Sequence, residues 1–120
     1  MANKPIKKER SNKIAIFEGE EIRRASIDGD WYFAVEDVIM ALTDSRDIKQ
    51  YVKKLRQRDP ELESNWGTIC TPLEMIARDG KKRKIQCANA EGLLRIIQSI
   101  PSPKAEPFKL WLAKVGYERL

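Results

Sequence analysis

The stretch D-G-D-W-Y-F-A-V-E-D-V-I-M-A-L-T-D-S, residues 28–45, changes its period in mid-run, and the fold class follows from that change. Asp28-Gly29-Asp30 contains the Asp-Gly pair that tight hairpins prefer, and W-Y-F-A-V (31–35) has the aromatic, β-branched character of a strand. From Val35 the apolar residues recur at helical steps, as Val35, Val38, Ile39 and Leu42. Glu36 and Asp37 stand in the first turn, where carboxylates suit the helix dipole. Thr43-Asp44-Ser45 then breaks the pattern. A strand that runs straight into a helix predicts an α+β domain.

The same logic extends in both directions. K-I-A-I-F (13–17) and I-R-R-A-S-I (22–27) precede W-Y-F-A-V, separated from one another by Glu18-Gly19-Glu20, and the three read as an antiparallel meander. Residues 1–12 are polar and basic and read as a flexible arm, which leaves 13–120 as one folded domain. Downstream, Asp44 or Ser45 is expected to cap a second helix carrying Ile48, Val52 and Leu55, which Pro60 stops. Residues 59–72 read as irregular, with turns at Trp66-Gly67 and Thr71-Pro72. L-E-M-I-A-R (73–78) and K-R-K-I-Q-C-A (82–88) flank Asp79-Gly80, a second hairpin signal. Asn89 caps a helix over 90–100 whose buried side is Leu93, Leu94, Ile96 and Ile97. Pro101-Ser102-Pro103 leads into a last helix with Phe108, Trp111, Leu112 and Val115. The expected architecture is a small antiparallel sheet with a helix pair, a basic β-hairpin and two C-terminal helices. The chain stops without a closing signal, as expected of the N-terminal part of a longer protein.

Composition narrows the function. The 120 residues carry a net charge of +5 with a pI near 9.3, compatible with nucleic acid as a partner. There is no histidine, which removes the commonest general base and the commonest zinc ligand. Cys70 and Cys87 are too few to staple a secreted domain and read as reduced core residues. No apolar run approaches the length of a membrane span, and the basic N-terminus lacks the apolar block of a secretory signal. A cytoplasmic protein is the expectation. Enzyme readings fail individually. Glu36 and Asp37 are neighbours that do not face each other on a helix, Asp79-Gly80-Lys81 is explained by its turn, and the six glycines form no phosphate cradle. No catalytic site, cofactor or metal is expected.

The charge gathers in three places. In S-R-D-I-K-Q-Y-V-K-K-L-R-Q-R-D (45–59), Arg46, Lys49, Lys53 and Arg56 share one side of a helical wheel, bordered by Gln50 and Gln57. Ile48, Val52 and Leu55 take the opposite side. Lysine and arginine on such a face neutralise phosphates, while arginine and glutamine also reach base edges. The preceding helix and short break give a helix–turn–helix-like spacing. A solvated surface helix has the same pattern. The second cluster is Arg78, Lys81, Lys82, Arg83 and Lys84 around the predicted hairpin, where a groove-clamping ribbon and an ordinary polar tip look alike. The third is the arm, with Lys4, Lys7, Lys8, Arg10 and Lys13. Three clusters in one small domain favour DNA, with Arg46, Lys49, Gln50, Lys53 and Arg56 as leading contacts. Lys81, Lys82, Arg83 and Lys84 would support them on phosphates.

At this level of detail a family pattern emerges. W-Y-F-A-V-E-D-V-I-M-A-L (31–42), N-A-E-G-L-L-R-I-I (89–97) and P-S-P-K-A-E-P-F-K-L-W-L (101–112) resemble, in order and spacing, motifs of the Bro-N domain of phage antirepressors and baculovirus Bro proteins. The resemblance covers about residues 13–115, and A-K-V-G-Y-E-R-L (113–120) is similar to the DNA-damage-inducible protein D branch. It implies a non-enzymatic, DNA-binding N-terminal domain of an antirepressor or transcriptional regulator. Trp31, Phe33, Val38, Leu42, Leu93, Leu94, Phe108 and Trp111 match its core positions, and Asp37 matches a near-fixed acid that caps or anchors a turn. The chain departs from the family in having Thr43-Asp44 where many members place a glycine. The expected partner is double-stranded DNA, with no membrane. The competing reading is a protein-interaction module that captures a repressor without touching DNA. A homo-oligomer is compatible with both.

Overall fold

The structure, a computed structural model, describes residues 11–116. Three strands come first: β1 (Ser11–Phe17), β2 (Glu20–Ile27) and β3 (Asp30–Ala34). Both connections are two-residue turns with positive φ at each position, Glu18 (48°) and Gly19 (84°), then Asp28 (53°) and Gly29 (83°). That is the type I′ geometry whose twist matches the flanking strands. β1 starts two residues earlier than the sequence suggested, with Ser11 opposite Ser26. The remainder of the expected arm, residues 1–10, lies outside the described residues.

β3 continues into α1 (Val35–Thr43) without a loop, as the change of period predicted. Asp44 closes α1 in the left-handed conformation, φ 55° and ψ 13°, standing in for the glycine that many family members carry. Asp44 and Ser45 do not cap the next helix. Asp47 does, its carboxylate accepting the Gln50 N–H at 3.0 Å, so α2 spans Ile48–Arg58. The segment expected to be irregular is α3 (Pro60–Ile69). Asp59 caps it and Pro60 takes the first position, where its missing N–H costs nothing. Proline both stops α2 and starts α3, and the Leu62, Trp66, Ile69 spacing was masked by Gly67 and polar neighbours.

β4 (Thr71–Ile76) and β5 (Lys82–Ala88) form the predicted hairpin, but it is not separate from the meander. Phe33 pairs with Ala88 and Ala34 with Cys87, giving one five-stranded antiparallel sheet in the order β1-β2-β3-β5-β4. The sheet is curled. One face holds Phe17, Ile22, Trp31 and Phe33 against α1, α4 (Ala90–Gln98) and α5 (Ala105–Val115). Phe17, Phe33, Phe108 and Trp111 meet there edge-on or tilted, with centroids 4.9–6.1 Å apart. Inside the curl, Ala25, Ala34, Leu73, Met75, Ile85 and Cys87 make a second, smaller cluster. Gly92 lets α4 approach α3, since a Cβ there would meet the Ile69 Cγ2 at 3.1 Å and its carbonyl at 3.2 Å. Leu94, expected in the core, is instead exposed on α4. Cys70 and Cys87 are free and buried, and burial pushes their thiols up to about 11 and about 12, which leaves them unreactive.

Both open edges of the sheet are guarded. The Trp111 indole N–H donates to the Ile16 carbonyl on β1 at 2.7 Å, and Arg23 Nη1 donates to the Ile76 carbonyl on β4 at 2.8 Å. Pro72 removes a further donor from β4. Such devices discourage strand-to-strand aggregation.

Candidate nucleic-acid interface

α2 sits at the periphery because its sequence buries little. Leu55 is its one fully buried residue, with Ile48, Tyr51 and Val52 partly covered. Lys49, Gln50, Lys53, Lys54, Gln57 and Arg58 are all exposed. Of the residues singled out from the sequence, the helix therefore brings together Lys49, Gln50 and Lys53. Arg46 is exposed in the turn before the cap rather than on the helix.

Arg56 turns the other way. Its Nε donates to Glu63 Oε1 at 2.6 Å and its guanidinium lies 5.0 Å from the Trp66 ring centre, fastening α2 to α3. Lys49, Lys53 and Gln57 then line one wall of a groove of about 500 Å³, opposite Pro60 and Glu63. Lys54 and Arg58, not selected from the sequence, widen the exposed cationic arc.

The corner between α2 and α3 is pinned to α4. The Asp59 carboxylate accepts the Ser99 hydroxyl at 2.5 Å, the Leu62 N–H at 3.0 Å and Arg95 Nη2 at 3.2 Å. Those bonds, Ser99 first, hold its carboxyl down at about 2, below its ordinary 3.8. A depressed carboxyl contributes stability above the unfolded value and loses it as pH falls through the folded one. Asp59→Asn should therefore flatten the stability profile of the domain between pH 3.8 and about 2. Thermal melts of parent and variant across that range check it; parallel profiles would contradict it.

The hairpin cations separate into two kinds. The Ala77 N–H donates to the Lys81 carbonyl at 2.8 Å and the Gly80 N–H to the Ala77 carbonyl at 2.9 Å, closing a turn with Gly80 at φ 84°. Arg83 pairs with Asp79 and holds its carboxyl below the usual range. Arg78 points back to Asp37 at 3.5 Å and to Met40 Sδ at 3.0 Å. Lys82 and Lys84 stand on the strand face opposite the core residues Ile85 and Cys87. Among the described residues, Lys49, Lys53, Lys54, Lys81, Lys82 and Lys84 form no ion pair.

Asp37 connects these parts. It is buried and accepts Arg23 Nε and Nη2 at 2.8 Å each and the Arg23 backbone N–H at 2.9 Å. The pairing raises the Arg23 pKa. It anchors the start of α1 to β2 and, through Arg78, to the hairpin turn, as the family acid was expected to anchor a turn. α1 also packs against α2, so the two basic elements flank one helix. Among the described residues, no His, Cys, Asp and Glu side chains group so as to hold a metal ion, and no helix is long and apolar enough to cross a membrane.

No curated protein and no solved structure matches the chain. The family model described as the BRO family, N-terminal domain, matches residues 21–117. That span runs from β2 to beyond α5 and takes in the anchoring Asp37 and both basic elements. On it, the chain belongs to the BRO family, as its N-terminal domain.

Proposed function

We propose that this is a non-enzymatic DNA-binding domain of an antirepressor-type transcriptional regulator, acting in the cytoplasm of a phage-bearing cell. Membership of the BRO family is consistent with a phage or baculovirus domain of that type, and the tail at 113–120 motivates placement in the DNA-damage-inducible protein D branch. The observation that carries the reading is the exposed arc of α2. Lys49, Lys53, Lys54 and Arg58, with Gln50 and Gln57, face solvent, and their lysines have no acidic partner among the described residues. Phosphates are the counter-charge such an arc fits, and the two glutamines add donor and acceptor pairs for base edges. Arg46 extends the arc toward the turn. Lys81, Lys82 and Lys84 add phosphate contacts from the hairpin, whereas Arg56 and Arg83 contact DNA only by loosening Glu63 and Asp79.

Binding of the purified chain to a labelled mixed-sequence duplex tests this. The Lys82→Ala/Lys84→Ala variant is expected to bind about tenfold more weakly, in line with two lost phosphate contacts. Equal binding by that variant restricts the interface to α2. Absence of binding by the parent at low salt overturns the reading, and the cations then suit an acidic surface on a captured repressor.

A further inference from the structure

The exposed face of α2 has an internal order that follows from its helical winding. Gln50 and Gln57 stand one heptad apart, so at about 100° per residue they fall within about 20° of one another. From the midpoint between them, Lys53 and Lys54 lie about 50° to either side, and Lys49 and Arg58 about 90° to either side. All of these residues are exposed. Leu55, Ile48 and Val52, which seat the helix on the core, lie about 150° to 170° away. The remaining cation of the helix, Arg56, is about 110° round and is already taken by Glu63 and Trp66. Two amides therefore form the crest of the helix, and a pair of cations flanks them on each side.

That order fits one groove of one nucleic acid. A helix is about 10–12 Å across with its side chains, which the major groove of B-DNA admits at about 12 Å and the minor groove, at about 6 Å, does not. The major groove of A-form RNA is too narrow for side chains to read. A helix lying along the B-DNA major groove points its crest at the base edges and turns its flanks to the phosphates on the two rims. A glutamine amide carries a donor and an acceptor side by side, which matches adenine N6 and N7. Guanine presents two acceptors there instead, so the amide discriminates A·T from G·C. The two glutamines are about 10.5 Å apart along the helix axis, a span of about two to three base steps.

We propose that α2 lies in the major groove of double-stranded DNA with Gln50 and Gln57 each reading an adenine, the two about two or three base pairs apart. Lys49 and Lys53 hold phosphates of one strand, and Lys54 and Arg58 those of the other. Sequence preference of this kind rests on the DNA-binding reading above, and its test separates the two. Selection from a randomised duplex with the full chain should enrich two adenines at that spacing. Changing each A·T pair of the selected site to G·C should weaken binding by at least about fivefold. Placing 7-deazaadenine at both positions, which removes the major-groove N7 acceptor, should weaken it too. Gln50→Ala/Gln57→Ala, on two exposed side chains, should bind the selected site and its G·C version alike, with the salt slope of the parent. Lys53→Ala should instead weaken both duplexes equally and make the slope shallower by about 0.9. Binding without enrichment of adenine overturns the proposal and leaves DNA binding standing. So does a preference that survives the glutamine changes or the 7-deazaadenine substitution. No binding to any duplex at low salt overturns both.

Discussion

Replacing Asp37 by alanine is expected to destabilise the domain by about 3 kcal/mol, the low end of what removal of one partner from a buried ion pair costs. The carboxylate side chain is 3% exposed and the Arg23 guanidinium 18% exposed. With Asp37 gone, Arg23 keeps only the Ile76 carbonyl and the marginal Glu36 contact at 3.5 Å. Arg23 is not sealed from water, so part of its charge can be rehydrated, which sets the low end. Arg78 loses its carboxylate too, and the hairpin turn loses a tie to α1. For a domain of this size, about 3 kcal/mol is a large part of the total stability. Urea unfolding should show a lower midpoint with an unchanged slope. Asp37→Asn should fall between parent and alanine variant, because an amide still accepts one bond but cannot neutralise a guanidinium. A loss under about 1 kcal/mol for the alanine variant would mean that the pair is no more than a surface one.

The second large effect is on binding. Lys49→Ala/Lys53→Ala/Lys54→Ala should leave the fold intact, since all three side chains are exposed and form no ion pair among the described residues. It should make the dependence of log K on log salt shallower by about 2.7, at about 0.9 per phosphate contact. Affinity near physiological salt should fall by about a hundredfold, the same three contacts expressed as an equilibrium constant. Arg56→Ala is the informative contrast. It breaks the Glu63 pair and the contact with Trp66, so its first effect is on the seating of α2 and on stability. A triple variant that binds like the parent, with the same salt slope, would remove α2 from the interface.

Much of the fold was legible because its signals are local. Asp28-Gly29 sets a type I′ turn whatever surrounds it, and the Val35, Val38, Ile39, Leu42 spacing needs no tertiary help. Asp79-Gly80 likewise marks its hairpin. What the sequence hid was either dual-purpose or long-range. Asp59-Pro60 ends one helix and begins another, and the terminator was read without the initiator. The pairing of β3 with β5 rests on a two-residue ladder, Phe33 to Ala88 and Ala34 to Cys87, that no local pattern announces. The exposure of Leu94 depends on how α4 packs, not on its apolar period.

The candidate interface divides in the same way. Lys49, Gln50 and Lys53 were readable because a helix turns sequence spacing into a face. Arg56, Arg78 and Arg83 were counted with the free cations because their acids, Glu63, Asp37 and Asp79, come from other turns or elements. Each guanidinium offers several donors in a fixed fork, and here Arg56, Arg78 and Arg83 each take a carboxylate, while Lys49, Lys53, Lys54, Lys81, Lys82 and Lys84 form no ion pair among the described residues. A basic patch read from sequence therefore overstates its arginines.

The measurement that tests the central claim most directly is fluorescence-anisotropy titration of a mixed-sequence duplex with the parent chain over a series of salt concentrations. The account predicts measurable binding with log K falling linearly as log salt rises, with a slope of at least about 3 in magnitude for the α2 lysines together with the hairpin. No binding at the lowest salt, or an affinity indifferent to salt, would contradict it and leave the cationic face of α2 to a protein partner.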